Sequence, residues 1–318
     1  MQRINFKNAV LYKDMMVRAK RSNMSILMFI LNLLLSIVAV IIVLSLNLSL
    51  SSFQSPSGAI LPWFFISVII FESAMICLVV PPASAGSISG EREHQTLDVL
   101  LTTNMTPLEI ILGKYFSCLI YIGLLLLSTL PMVSIVFIYG SISFIQILAL
   151  YGTLAIVAMY LASFGIYFST ICKKSSTATI LSYLAIWVLI FGTISITAIG
   201  SVIVMIRNDA MNYEIYTLHT ARAWSRDPFF FLLYLNPAAT VVDVVGRLIG
   251  FDFGSDVFGG MDYILYNLGD NIQKTNFFIK FWTPISIILQ LAVTFSVLTA
   301  AAKILDPTTH KKAKSSGR

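Results

Sequence analysis

Residues 88–114 read ISGEREHQTLDVLLTTNMTPLEIILGK. They place six charges (Glu91, Arg92, Glu93, Asp98, Glu109 and Lys114) between two long runs that hold almost none. The acids Glu91 and Glu93 suit the first turn of a helix, where the dipole favours anions. Leu97, Leu100 and Leu101 recur at helical spacing and predict one apolar face on a helix over Glu91–Leu101, which Thr102 to Asn104 ends. Thr106-Pro107-Leu108-Glu109 is a capping box with proline at the first helical position, so another helix starts there. On the other side, Pro81-Pro82 predicts an end or a kink in the preceding helix, and the small residues Ala83 to Gly90 lead away from it. The reading is a short amphipathic helix between two breaks, exposing an apolar stripe rimmed with charge, a surface suited to a partner's groove.

Outward from this loop the chain is a succession of apolar runs. Hydrophobic residues make up 57% of the 318 residues and charged ones 11%, against about 25% charged in a soluble domain. With a mean hydropathy of +0.86, a soluble fold would lack the polar surface to cover its core. A hydrocarbon core about 30 Å thick needs roughly 20 apolar residues per helix. On that measure the chain is an all-α polytopic membrane protein with six predicted spans: Ile26–Leu46, Ile60–Val80, Tyr115–Tyr139, Phe144–Ile171, Thr179–Ile206 and Trp282–Ala302. The first run is too long for a signal peptide and no cleavage site follows it, so it is expected to stay attached.

Lysine and arginine set the orientation. Arg3, Lys7, Lys13, Arg18, Lys20 and Arg21 precede the first span, and Lys303, Lys311, Lys312, Lys314 and Arg318 follow the sixth. Lys173 and Lys174 mark the link between spans four and five, whereas Asn47–Ala59 and Gly140–Ser143 carry no cation. Both termini are therefore predicted to be cytoplasmic. The single domain divides into a cytoplasmic amphipathic stretch (1–22), spans one to five (26–206), an extracytoplasmic segment (207–280), the last span (281–303) and a cytoplasmic tail (304–318). Within 207–280, the apolar run Phe229–Gly250 is not read as a seventh span. It would bury Asp243 and Arg247, be broken at Asn236-Pro237, and put the basic C-terminus outside. A short helix starting at Pro237 with Asn236 as its cap, re-entrant or lying at the surface, is predicted instead. Phe229-Phe230-Phe231 reads as an interfacial anchor.

Soluble-style catalysis finds no support. His94, His219 and His310 share no metal-ligand spacing, and no metal site is expected. Cys77, Cys118 and Cys172 sit in or beside apolar runs and read as packing. Gly113-Lys114 is no phosphate loop, since Tyr115 follows and no glycine stands five residues earlier. The net charge of +6 is explained by orientation and anionic lipid, without nucleic acid. Glu72, the one ionisable residue inside a span, either faces a polar lumen or bonds to hydroxyls of neighbouring helices. A membrane enzyme would need paired acids or intramembrane Ser/His, and a secondary carrier or channel would be favoured by repeated halves with broken helices; neither pattern is present.

The run Glu91-Arg92-Glu93, Thr96-Leu97, Leu100-Leu101, Thr102, Pro107 and Gly113-Lys114 resembles the cytoplasmic loop of ABC transporter permeases of the type-2 exporter family. The likeness extends over most of the chain, through the basic N-terminal stretch, six spans, the Lys-Lys link and the Asn-Pro before the last span. Asn104-Met105 before Thr106-Pro107 is a local departure. The resemblance implies that Glu91 to Leu101 (Glu91, Arg92, Glu93, Thr96, Leu97, Leu100, Leu101) is a coupling helix seated on a separate ATP-binding subunit. It implies that Thr106, Pro107, Glu109, Gly113 and Lys114 start the next helix. Residues around Phe6–Val17 would be an interfacial elbow helix and Pro237–Gly250 an outer re-entrant helix. It further implies two ATP-binding subunits holding ATP and Mg, with no cofactor in this chain, a second permease subunit (identical or homologous), and a place in a bacterial cytoplasmic membrane. Family substrates range over lipids, polysaccharides, peptides and drugs, and no residue here chooses among them.

Overall fold

Apolar runs longer than a membrane is thick fold as helices, because lipid offers backbone groups no other partner. In this computed structural model residues 26, 28–37, 40, 41, 44, 60–102, 105–139, 143–209, 228–249 and 281–305 are described. Every regular element among them is helical: α1 (Met28–Ile37), α2 (Ile60–Glu93), α3 (Leu97–Leu101), α4 (Pro107–Tyr139), α5 (Phe144–Ile171), α6 (Ser175–Trp187), α7 (Thr193–Asp209), α8 (Pro237–Ile249) and α9 (Trp282–Leu305). A π-helical turn, Val188–Gly192, joins α6 to α7, and a 3₁₀ segment, Pro228–Leu235, precedes α8.

Five helical stretches among the described residues are long and apolar enough to cross a membrane: Ile66–Glu93, Pro107–Pro131, Phe144–Ile171, Ser175–Gly200 and Trp282–Leu305. They cover predicted spans two to six. Of the first predicted span, the ten-residue helix α1 and residues 26, 40, 41 and 44 are described and the rest lies outside the described residues, as do the N-terminal stretch 1–22, residues 210–227 and 250–280, and the tail from 306 on. Several boundaries move, with the helices of spans two and six running on to Glu93 and Leu305. Span three starts with the helix at Pro107, span five starts at Ser175, and α7 runs on to Asp209.

The described residues form two compact units. One holds residues up to Ile147, Val157–Leu184 and those from Val293 onward. In it α2 packs against α4 through Met75, Val79 and Leu125, with Met28 and Leu31 of α1 alongside. The Nδ2 of Asn32 donates to Ser128 Oγ at 2.9 Å. The backbones of α2 and α5 touch: a Cβ added at Gly165 would stand 1.8 Å from Ser84 Oγ and 3.3 Å from the Ala85 nitrogen. Small residues allow such approach where lipid gives helices no hydrophobic reason to associate. The Tyr115 hydroxyl donates to the Met159 carbonyl at 2.9 Å and ties α4 to α5.

The proline pair does not end α2. The helix runs on for 34 residues through Pro81 and Pro82, so of the predicted end or kink the end is corrected. Proline removes the amide that would bond the carbonyl four residues back, and for Pro82 that carbonyl belongs to Leu78. The Tyr183 hydroxyl donates to it at 2.6 Å, so a neighbouring helix replaces the lost donor. At 1.5 Å per residue α2 is about 50 Å long, long enough for its motif-bearing end to project well past a core of about 30 Å.

The other unit comprises Leu148–Ile156 and the described residues within Ala185–Ala292. Leu233, Tyr234 and Trp282 form its buried apolar centre, with Ile194 and Ile285 against them. The Tyr234 and Trp282 rings stack with centroids 4.0 Å apart.

Candidate functional site

The charged loop of the sequence is a junction of four helix ends. The predicted helix over Glu91–Leu101 is two elements. Glu91, Arg92 and Glu93 form the last turn of α2, and only Leu97–Leu101 makes the short helix α3. Between them the chain turns with Gln95 in the left-handed region at φ 58°. The Thr96 amide bonds the Glu91 carbonyl at 2.9 Å and the Gln95 amide bonds the Arg92 carbonyl at 3.1 Å. This pairing is the Schellman closure of a helix C-terminus. Thr96 Oγ1 adds a bond to the Glu91 carbonyl at 3.1 Å.

This break reverses the expected electrostatics. Glu91 and Glu93 stand at a C-terminus, where the helix dipole opposes anions, so other helices must compensate them. Lys114 Nζ of α4 lies 2.5 Å from Glu91 Oε1, with the two side chains only 4% and 15% exposed. Arg92 donates from its two terminal nitrogens to the carbonyls of Cys172 (2.7 Å) and Thr170 (2.9 Å), at the C-terminal end of α5. Glu93 accepts from the Ser175 amide (3.1 Å) and hydroxyl (2.5 Å) at the start of α6. Beneath them, Ser169 Oγ accepts from the amides of Ile88 and Ser89, each at 2.9 Å.

The apolar stripe also faces the other way from the expectation. Leu97 is buried, and Leu100 and Leu101 are half-buried. The leucines anchor the turn, and the outward surface consists of His94, Gln95, Thr96, Asp98, Thr102 and Val99, the last 68% exposed. The capping box is as read: the Thr106 amide donates to Glu109 Oε2 at 2.8 Å and the Glu109 amide to Thr106 Oγ1 at 3.3 Å, with Pro107 first in α4. Gly113 and Lys114 are buried on α4.

A family model for ABC-2 family transporter proteins matches residues 67–303, about three quarters of the chain. This chain belongs to the ABC-2 transporter family. It is a multi-pass membrane protein with the role of an ABC transporter permease, a transport subunit not itself catalytic. Permeases of this family generally pair with an ATP-binding subunit. Among curated proteins none matches.

Two other predicted positions lie away from the ABC-2 loop. Glu72 is five turns back along α2, about 28 Å by helix rise. It is 1% exposed, on the face that carries Met75 and Val79. Asn236 caps α8 as expected, its Oδ1 accepting from the amides of Ala238 (2.8 Å) and Ala239 (3.3 Å), with Pro237 first in the helix.

Asn236 is also part of a network that the sequence reading missed. A π turn leaves a carbonyl out of the regular ladder, and Asn236 Nδ2 donates to the Ile190 carbonyl at 3.0 Å and to Thr193 Oγ1 at 2.8 Å. On α8 and α9, Thr240 and Ser286 hydroxyls lie 2.6 Å apart, Ser286 donates to the Tyr234 carbonyl at 2.7 Å, and Gln290 Nε2 donates to Thr240 Oγ1 at 2.7 Å. All four side chains are fully buried. Asp243 takes both the Thr283 hydroxyl and Arg247 Nε, the latter at 3.0 Å. Burial, with the Asp243 charge adding, pushes the Tyr234 phenol up to about 12, so it stays protonated. The signal was present as polar residues three and four apart, 236/240/243/247 and 283/286/290, each on one face of a helix.

Proposed function

We propose that this ABC-2 permease moves its substrate outward across a bacterial cytoplasmic membrane by docking the turn His94–Thr102 onto a separate ATP-binding subunit that holds ATP and Mg. The observation that carries the reading is that turn, a projection between α2 and α4 with its leucines turned inward and Val99 standing exposed beside polar residues. One exposed apolar side chain ringed by hydrogen-bonding groups is the kind of anchor that fills a partner's pocket. Two ATP-binding subunits close on ATP, carry two such turns together, and rock the spans between inward- and outward-facing states. A second permease subunit lines the path with this one. In support, only 11% of the most apolar 18-residue window within Ser175–Gly200 is buried in this chain, against 33% to 56% of the corresponding windows in the other four. Six spans, both termini in the cytoplasm, an N-terminal elbow helix and an outer helix α8 complete the arrangement.

The test is reconstitution in nanodiscs with a cognate ATP-binding-cassette subunit, sought first in the neighbouring reading frames. ATP turnover above that of the isolated subunit is the expected result, and Val99→Asp abolishes association. Turnover indifferent to the permease, or full association of Val99→Asp, contradicts the docking assignment.

A further inference from the structure

Three consecutive side chains at the end of α2 reach three different helices. Successive residues on a helix point about 100° apart, and here each direction meets a helix end. Glu91 meets Lys114 in the second turn of α4. Arg92 meets the Thr170 and Cys172 carbonyls that close α5. Glu93 meets the amide and hydroxyl of Ser175 that open α6. The order is matched to the chemistry: a cation sits on carbonyls left over at a C-terminus, and an anion sits on an amide left over at an N-terminus. Arg92 and Glu93 thereby bracket the link Cys172–Lys174 from both sides. Glu91 and Lys114 are too buried to offer a charge to a partner.

We propose that Glu91, Arg92 and Glu93, with Lys114, Ser169 and Ser175, are positioning residues that lock the ends of α2, α4, α5 and α6 into one body. A push on the turn His94–Thr102 then moves four helices together. The three motif residues transmit and do not dock, whereas Val99 and its neighbours dock and do not transmit. This rests on the reading that the turn meets the ATP-binding subunit.

The decisive variant exchanges neighbours, Arg92→Glu with Glu93→Arg. It keeps composition, net charge and surface polarity but sets an anion on carbonyls and a cation on an amide. The full complex in nanodiscs is read for affinity between the subunits and for permease-stimulated ATP turnover. Affinity within about twofold of the parent and stimulation reduced about tenfold or more are expected. Glu93→Gln, which can still accept from Ser175, is the milder variant if the exchange does not fold, and should retain part of the stimulation. Glu93→Cys with Ser175→Cys, in a background with Cys77, Cys118 and Cys172 replaced, should lower stimulation until a short bis-maleimide joins the two cysteines, and the cross-link should then restore it, because the two ends travel together. Lost affinity in the exchange variant, unchanged stimulation, or a cross-link that restores none of it each overturns the clamp. Val99→Asp serves as the separate check on docking: if it associates normally while the clamp variants lose stimulation, the docking surface is misassigned and the clamp stands.

Discussion

At the Glu91–Glu93 junction helix ends are held by formal charges; around Asn236, Thr240, Ser286 and Gln290 they are held by neutral amides and hydroxyls. Both satisfy backbone groups that lipid cannot. The charged junction meets orphan groups at helix termini and sits on the projecting end of α2, where ions can be brought together. The neutral network sits among apolar residues of α8 and α9 and repairs a π turn within a run that reads as membrane-spanning. Charge serves where a counter-ion or a helix terminus is at hand, and neutral donors serve among apolar residues that supply neither. The two therefore differ in how they break.

The largest effect belongs to the junction. Lys114→Met leaves the Glu91 carboxylate buried without its cation and is expected to destabilise the protein by about 3–5 kcal/mol, read as a fall in thermal unfolding midpoint in detergent. Adding Glu91→Gln should restore most of it, since removing both charges avoids stranding either. If the single and double variants unfold alike, the pair is not the buried ion pair described. In the network, Asn236→Ala removes a helix cap and leaves the Ile190 carbonyl short of a donor, a loss of about 2 kcal/mol from the two terms together. A loss as large as that of Lys114→Met would erase the contrast between charged and neutral ends.

How far the sequence carried the account follows from the same contrast. Ions are rare in this chain, so Glu91, Arg92, Glu93 and Lys114 stood out, and with them the family. Local signals held as well: Thr106-Pro107-Glu109 and Asn236-Pro237 each start a helix where read. What failed needed distant partners. Pro81-Pro82 reads as a break until Tyr183, a hundred residues on, supplies the missing donor. Glu91 and Glu93 read as a helix start because their counter-groups, Lys114 and Ser175, lie 23 and 82 residues away. The stripe Leu97, Leu100, Leu101 gave the right face but not which way it turns. Ser286 and Gln290 bond Thr240 from 46 and 50 residues away, a pairing that no local pattern announces.

Two smaller effects sharpen the comparison. Gly165→Ala drives a methyl into Ser84 beneath the junction and should cost about 1–3 kcal/mol, measured by the same unfolding midpoint. Ser84→Ala should not relieve it fully, because the Ser84 Cβ itself would stand 2.7 Å away. Gln95→Gly is the one stabilising change expected. It removes a side chain from a left-handed position at φ 58° and should raise stability by up to about 1 kcal/mol. No gain there would mean that the turn is held open by its neighbours and carries no backbone strain of its own.

The central claim is that the turn after α2 faces a partner with Val99 and faces the permease with Leu97. Maleimide labelling tests it directly, with Val99→Cys and Leu97→Cys compared in inside-out membrane vesicles with and without the ATP-binding subunit. The account predicts that Val99→Cys labels readily in the permease alone and is protected when the subunit is present, while Leu97→Cys labels in neither. Labelling of Val99→Cys that the subunit leaves unchanged, or protection that appears at Leu97→Cys instead, would contradict it.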